Sequence, residues 1–303
     1  MQIQSYPFRA MGSPCELRLY ADERAQADAA ADRAKAAIAR LEQVYSRYRD
    51  DSVTTRINRS AGDARGVEVD AETAGLLDYA AAAHEQSDGL FDLTSGVLRR
   101  AWDFKSKRVP DQKQIADVLP LVGWDKLIWR RPRLVLPIAG MELDFGGFVK
   151  EYTADVAAQA CRAAGVAHGL VELGGDIAVI GPHPDGSAWR VGVQHPRDLE
   201  HAIAYVELAE GAIATSGDYE RFMEVDGKRY CHILNPRTGW PASHLASVSV
   251  LAPQCLIAGT ATTIAFLKEA RGPAWLRELG VSHLCFDARM EPAGNLQAER
   301  LKR

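Results

Sequence analysis

The sequence has few cysteines and no cysteine pair. Its 303 residues include five, scattered without any C-x-x-C spacing: Cys15, Cys161, Cys231, Cys255 and Cys285. An odd, dispersed set is typical of free thiols and argues against a disulfide framework or a cysteine zinc site. A chain of this length buries a hydrophobic core without covalent staples.

The sequence also has no long apolar run and no excess of basic residues. No stretch reaches the roughly 18 apolar residues that indicate a membrane-spanning helix. Lys and Arg number 36 against 40 Asp and Glu, which gives a formal net charge of −4, whereas nucleic-acid-binding proteins usually carry a basic excess. We therefore expect no membrane span and no nucleic-acid partner.

The amino-terminal stretch lacks the basic segment and the following apolar segment of a secretory signal. As written, the sequence predicts a cytoplasmic protein. A periplasmic location stays open if a leader was removed.

Several common catalytic motifs are missing. The sequence has no G-x-G-x-x-G opening a helix after a strand, no G-x-x-x-x-G-K-[ST], no G-x-S-x-G and no H-E-x-x-H. These absences argue against a Rossmann dinucleotide site, a P-loop, a nucleophile elbow and a zincin centre.

Hydrophobic periodicity predicts four helices. Apolar residues recur at three- and four-residue spacing over 22–47, and helical segments are also predicted over about 71–86, 147–164 and 256–269. Residues 126–137 contain two apolar runs that turn at Arg131-Pro132-Arg133, the pattern of a hairpin.

The order of the remaining segments indicates the fold class. Strand-like segments follow one another instead of alternating with helices, which favours an α+β fold with antiparallel sheets and flanking helices. No repeat or linker is visible, so we expect one domain over 1–303. Its polar tail, about 287–303, is expected to be loose.

Four glycine-rich polar segments stand out, at 89–96, 143–155, 172–181 and 214–239. In the second, Gly146 and Gly147 open a predicted helix, where exposed backbone N–H groups suit a phosphate. Lys150 adds a positive charge. These features predict an extended phosphate-bearing ligand without identifying it.

Six motifs carry a resemblance to a known family: RAMGSPCEL, SRYRDDSVTTRIN, GLFDLTSGVLRRAWDF, LDFGGFVKEYTAD, ELGGDIAVIG and TSGDYERF…HILNPRTGWPA. In this order, over residues 11–267, the chain resembles the FAD:protein FMN transferases, the ApbE-like flavin transferases. The resemblance implies a T-fold-related α+β architecture, FAD as substrate and magnesium as cofactor. It also implies transfer of FMN to a Ser or Thr of an acceptor protein, with release of AMP.

The resemblance further implies roles for individual residues. His232 and Lys150 would be catalytic, and the main-chain carbonyl of Gly147 and the side chain of Thr263 would bind the metal. The residues that the resemblance places at FAD are Met11, Tyr48, Phe91, Asp92, Leu93, Asp144, Lys150, Gly175, Asp176, Thr215, Ser216, Gly217, His232 and Ile233.

The chain departs from the family pattern at three positions. Gly259 stands where the family has a metal-binding Asp, Glu151 where it usually has Gly, and Asn235 where it usually has Asp. Mg²⁺ is usually held through one or two carboxylates, so position 259 leaves two alternatives to the transferase open: a catalytically impaired FAD-binding protein and a slow FAD pyrophosphatase. A water, another carboxylate or Thr262 is left open as the replacement ligand.

Several of these residues also have an ordinary structural interpretation. Asp144 suits a helix cap, His232 a partly buried histidine and Lys150 a solvated helix lysine. Tyr48 and Phe91 suit core aromatics as well as flavin stacking. The sequence alone keeps both interpretations open.

Overall fold

The computed structural model describes the backbone of residues 1–300 and the side chains of residues 1–299. Within this range seven α-helices form: α1 Arg24–Tyr45, α2 Val53–Arg59, α3 Ala71–Gln86, α4 Gln112–Val118, α5 Val149–Ala163, α6 Cys255–Leu267 and α7 Gly272–Glu278. The same range forms sixteen strands: β1 Gln2–Ala10, β2 Ser13–Ala21, β3 Val67–Glu68, β4 Ile128–Arg130, β5 Arg133–Val135, β6 Gly169–Leu173, β7 Asp176–Gly181, β8 Trp189–His195, β9 Asp198–Leu208, β10 Ala212–Gly217, β11 Phe222–Val225, β12 Lys228–Cys231, β13 Leu245–Ala252, β14 Ser282–Asp287, β15 Pro292–Gly294 and β16 Glu299–Arg300.

A large antiparallel sheet organises the described chain. Its eight strands lie in the order β1-β2-β6-β7-β10-β13-β14-β15, and each neighbouring pair is antiparallel. Smaller sheets have the orders β16-β9-β8 and β3-β5-β4, and β11 pairs with β12. This arrangement confirms the predicted α+β class with antiparallel sheets and flanking helices.

The large sheet lies between two layers. Helices α1, α5 and α6 cover one face through small residues such as Ala34, Ala157 and Ala258, while β8 and β9 cover the other. Because successive side chains of a strand point to opposite faces, β6 directs Val171 to the helical layer and Leu170 to the second layer. The sheet therefore has a core on both faces.

A second core anchors the segment that leads into α5. Leu41 at the carboxyl-terminal part of α1 and Leu77 of α3 pack with Phe145 and Phe148. The ring of Tyr45 lies 5.0 Å from that of Phe145, and the rings of Phe145 and Phe148 are 6.1 Å apart. The two exposed glycines between these phenylalanines are thus held at the surface by buried aromatic rings on both sides.

The predicted helices over 22–47, 71–86, 147–164 and 256–269 correspond to α1, α3, α5 and α6, and the predicted hairpin is the β4–β5 pair. Among residues 1–300, no helix has the length and apolarity needed to cross a membrane.

The structure differs from the expectations at β1, at helices α4 and α7, which were not predicted, and at the tail strands β15 and β16. Strand β1 was not predicted, because its exposed and partly buried residues alternate without a strong apolar face. Helix α6 is followed by a further helix, α7. Part of the tail that was expected to be loose is paired, since β15 bonds to β14 and β16 to β9; residues 301–303 lie outside the described part.

Helix α6 receives its amino-terminal cap from α5. The side chain of Gln254 makes no capping bond, but the Asp155 carboxylate accepts from the N–H groups of Cys255 and Leu256, at 2.8 and 2.9 Å. Burial raises the pKa of Asp155, and the two N–H donors act against this rise. We expect Asp155→Ala to lower the free energy of unfolding by about 1–3 kcal/mol, because two helix N–H groups lose their acceptor.

Urea denaturation monitored by circular dichroism measures this change. Asp117→Ala is the control, since Asp117 is exposed and pairs only with Lys113 of its own helix. Equal stability losses in the two variants would contradict a capping role for Asp155.

Candidate active site

Lys150 joins three elements at the start of α5. Its Nζ atom contacts the Asp176 carboxylate and donates to the Leu173 carbonyl at 3.3 Å. The second carboxylate oxygen of Asp176 accepts from the Thr215 N–H at 3.0 Å. Asp176 is only 3% exposed, so its bonds fix the ammonium group between α5, the β6–β7 turn and β10.

The β6–β7 turn requires glycine. Gly174 and Gly175 have φ angles of 57° and 87°, a region that L side chains rarely adopt. A Cβ on Gly174 would lie 2.8 Å from that of Ser13, whereas nothing lies near a Cβ on Gly175. A pocket of about 350 Å³ borders the two glycines and Thr215. The turn thus leaves its backbone open to a ligand.

Asp144 is a cap of the turn that precedes α5. One oxygen accepts from the Gly146 N–H at 2.9 Å, and the other contacts the Arg47 guanidinium. Arg47 also donates to the Tyr48 hydroxyl at 2.9 Å. The capping interpretation of Asp144 is therefore confirmed, and its contact with a nucleotide stays a prediction. Arg47 was missed by the sequence analysis, since an arginine at a helix end has no distinguishing motif.

Tyr48 and Phe91 have opposite environments. Tyr48 is 81% exposed and Phe91 is 4% exposed. The Tyr48 ring is thus not a core aromatic and is available for stacking. The Phe91 ring packs 5.9 Å from that of Phe148, so the expected stacking of this ring on a flavin does not fit its buried position.

Asp92 and Leu93 also turn their side chains inward. Asp92 accepts from the Thr94 N–H at 2.7 Å and from the Trp124 N–H at 2.9 Å. Leu93 is buried, and its carbonyl accepts from the Asp144 N–H at 3.0 Å. The Leu93 carbonyl thus holds the Asp144 turn by a hydrogen bond. Because the side chains of residues 91–93 are buried, a ligand contact by these residues would use the backbone.

A line of hydroxyl groups joins β10 to α6. The Ser216 hydroxyl lies 2.9 Å from that of Thr262 and 3.4 Å from that of Thr263. Thr262 donates to the Gly259 carbonyl at 2.8 Å. Thr262 is fully buried and Thr263 is partly exposed, so Thr263 is the better placed of the two to reach a ligand.

The neighbouring residues of β10 have internal partners. The Thr215 hydroxyl bonds to that of Ser249 at 2.8 Å. A Cβ on Gly217 would collide with the ring of Tyr219, so glycine is needed there for close packing. Their contact with FAD stays a prediction.

Glu151 fills the space beside Gly259. A Cβ on Gly259 would lie 2.9 Å from Cδ and 3.1 Å from Oε1 of Glu151. Glu151 is 9% exposed, and within the described residues its Oε2 atom has no hydrogen-bond partner. Its Oε1 atom lies 3.5 Å from Lys150 Nζ. In the sequence the changes at positions 151 and 259 are two separate departures, and only the fold brings them into contact.

The residues at this junction fit a magnesium ion by their chemistry. Residues 1–299 contain no cluster of three or more His, Cys, Asp or Glu side chains that could hold a metal. Mg²⁺, however, often uses one or two carboxylates with other oxygen ligands. The orphaned Glu151 oxygen, the Thr263 hydroxyl and the Gly147 carbonyl are such donors, and no hydrogen bond in the described chain reaches that carbonyl.

His232 has a defined tautomer. Its backbone N–H donates to the Arg221 carbonyl at 2.9 Å, and its Nδ1 atom lies 3.2 Å from the same oxygen. A carbonyl only accepts, so Nδ1 carries the proton and Nε2 keeps a lone pair. The residue is exposed, yet the protein around the ring and the charge of Arg221 lower the pKa of His232 to about 4.

Met11 and Ile233, which the resemblance also places at FAD, have partners outside the Lys150 group. Met11 has a φ angle of 51° in the β1–β2 turn, and its N–H donates to Glu42 at 2.8 Å. Ile233 packs partly buried against the main core. Within residues 1–300, no hydrogen bond joins His232 or these two residues to the Lys150 group.

Comparisons with known proteins identify the family of this chain. The ApbE family model matches residues 11–285. An FAD:protein FMN transferase of Klebsiella pneumoniae is 34% identical over 91% of this chain and 86% of its own. One of Treponema pallidum is 33% identical over 88% and 80%.

Solved structures show the same fold. The crystal structure of an ApbE protein from Thermotoga maritima is 30% identical, covers 97% of both chains and has a TM-score of 0.88. The apo flavinyl transferase ApbE of Pseudomonas stutzeri is 29% identical, with a TM-score of 0.84 over 99% of this chain and 95% of its own. By its sequence and by its fold, this chain belongs to the ApbE family.

Proposed function

We propose that this protein is an FAD:protein FMN transferase, which moves FMN from FAD to a Ser or Thr hydroxyl of an acceptor protein. The observation that carries the proposal is the amino-terminal end of α5. There the exposed Gly146–Gly147 backbone and the Lys150 ammonium group adjoin the open β6–β7 turn. A helix start and a nearby cation suit the pyrophosphate of FAD.

The remaining exposed groups suit the two ends of FAD. Tyr48 presents an aromatic ring on the side of Asp144, and Gly175 leaves room at the β6–β7 turn. Asp144 and Asp176 would position neighbouring groups, since the Asp144 carboxylate accepts from the Gly146 N–H and the Asp176 carboxylate accepts from the Thr215 N–H.

The reaction needs a base for the acceptor hydroxyl. The hydroxyl oxygen attacks the phosphorus on the FMN side, the bond from that phosphorus to the bridging oxygen breaks, and AMP leaves with that oxygen. The hydroxyl proton passes to Nε2 of His232, which is unprotonated at neutral pH because its pKa is about 4.

Positive charge at the site would hold the phosphates in place. Lys150 stabilises the negative charge that builds up on the leaving group. Glu151, Thr263 and the Gly147 carbonyl would hold a magnesium ion, which would supply further charge neutralisation at the phosphates.

Gly259 supports a second candidate function. A protein without the carboxylate at this position would bind FAD tightly with little turnover, or would slowly hydrolyse it to FMN and AMP. The buried Glu151 side chain beside Gly259 favours the transferase, because a carboxyl group is still present at this place.

AMP release from FAD, with and without EDTA, tests the proposal together with in-gel flavin fluorescence of a Thr-bearing acceptor protein. We expect EDTA-sensitive AMP release and a fluorescent acceptor band. AMP release without a fluorescent band would indicate the pyrophosphatase. Tight FAD binding with neither product would indicate the binding protein.

A further inference from the structure

Glu151 and Gly259, two of the residues at which the chain departs from the family pattern, face each other. Glu151 lies in the first turn of α5, and Gly259 lies in the second turn of α6. Glu151 Cδ lies 2.9 Å from the position that a Cβ of residue 259 would take. The Glu151 carboxylate therefore occupies the space into which a side chain on α6 would project.

This carboxylate lacks the partners that a buried charge needs. Glu151 is 9% exposed, and within the described chain no donor bonds to its Oε2 atom. Lys150 is its one ion-pair partner there, at 3.5 Å, and that ammonium group is already bonded to Asp176 and Leu173. A buried carboxylate is costly unless it is paired or bound to a cation, so this geometry calls for a further positive group.

Other oxygen donors lie on the same two helices. Thr263 follows Gly259 by one helical turn, so both lie on one face of α6. Gly147 precedes Glu151 by one turn, and within residues 1–300 no hydrogen bond reaches its carbonyl. The facing segments of α5 and α6 thus carry a carboxylate and a hydroxyl, and that carbonyl lies one turn before the carboxylate; these are the ligand types of a hard divalent cation.

We propose that Glu151 of α5 is the carboxylate ligand of the divalent cation, in place of the Asp that the family pattern has on α6. The absence of a side chain at Gly259 leaves the space that the Glu151 carboxylate occupies. This inference rests on the proposed function, since that function supplies the need for a metal. It extends the function by assigning the charged ligand to a residue at which the family pattern has no side chain.

Equilibrium Mn²⁺ binding, measured from the electron paramagnetic resonance signal of free Mn²⁺ with FAD present and no acceptor, tests the proposal. We expect Glu151→Gln to weaken Mn²⁺ binding by at least about tenfold, because a charged ligand becomes neutral at constant size. Glu72→Gln is the matched control. Glu72 is a partly buried carboxylate that accepts from Tyr152 of α5 at 3.0 Å, and its loss should leave Mn²⁺ binding unchanged.

Two variants at positions 151 and 259 separate the loss of a metal ligand from general destabilisation of the fold. Gly259→Asp alone should fail to tighten Mn²⁺ binding and should lower the melting temperature, because its Cβ would collide with Glu151. The double variant Glu151→Gly with Gly259→Asp should bind Mn²⁺ within about threefold of the wild type, because the carboxylate moves back to α6.

Two results would overturn the inference. The first is a folded Glu151→Gln variant that binds Mn²⁺ as tightly as the wild type. The second is a folded double variant that binds no better than Glu151→Gln. Failure of the proposed function gives a different result: the wild type would bind Mn²⁺ through Glu151 and yet transfer no FMN.

Discussion

Replacing His232 with Ala lowers the rate of FMN transfer by about 10²–10⁴-fold, the usual contribution of a positioned general base. Binding of FAD changes little, since the expected role of Nε2 is to take the acceptor proton. Single-turnover flavinylation measures the rate, and fluorescence titration measures FAD affinity. His201→Ala is the control, because His201 is exposed and, within the described residues, its side chain bonds to Asp198 alone.

The pH profile distinguishes this role from a structural one. The folded-state pKa of His232 is about 4, against an ordinary value of 6.5, so Nε2 stays unprotonated throughout the neutral range. The rate should therefore fall only as the pH drops towards 4. Arg221→Met removes a nearby positive charge and should move this acid limb upward. A wild-type limb near pH 6.5 would contradict the lowered pKa, and a limb that Arg221→Met leaves in place would contradict the assignment of His232 as the base.

Replacing Asp176 with Ala lowers the free energy of unfolding by about 2–4 kcal/mol. The change leaves the Lys150 ammonium group half-buried beside Leu173 and removes the acceptor of the Thr215 N–H. Because Lys150 is 24% exposed, the loss stays below that of a fully buried pair. Urea denaturation with an unchanged m-value measures it.

Two further variants separate the charge from the hydrogen bond. Asp176→Asn keeps an acceptor for Thr215 and loses only the charge, so it should cost less than Asp176→Ala. The double variant Asp176→Asn with Lys150→Met should lose less stability than the sum of the two single variants, because neither partner of the pair is then left without the other, although Glu151 loses its 3.5 Å contact with Lys150. Asp63→Ala, at an exposed pair with Arg65, should leave stability nearly unchanged. Additive losses in the double variant would contradict a buried pair.

The secondary structure was largely predictable where periodicity is strong. The apolar spacing of Ala34, Ile38 and Leu41 gave α1, and the apolar runs on either side of Pro132 gave the β4–β5 hairpin. Strand β1 was not predicted, because it lies at the edge of the sheet with one face exposed and therefore has no strong apolar pattern. Its pairing with β2 holds it in place, and that is a tertiary property.

The positions of some site residues were predictable from the sequence. Gly146 and Gly147 are exposed before α5, and Lys150 lies in its first turn; their binding of a phosphate stays a prediction. The Phe91 ring, in contrast, is buried against Phe148. A single aromatic residue carries no sign of which way its ring points, because this depends on the packing of distant elements.

The sequence by itself determined the α+β class, the order of the glycine-rich segments and the membership in a flavin transferase family, because local periodicity and motif order are written along the chain. Only the tertiary structure decided that Glu151 and Gly259 are one feature. They lie more than a hundred positions apart, and the packing of α5 on α6 brings a buried carboxylate into the space left by a missing side chain.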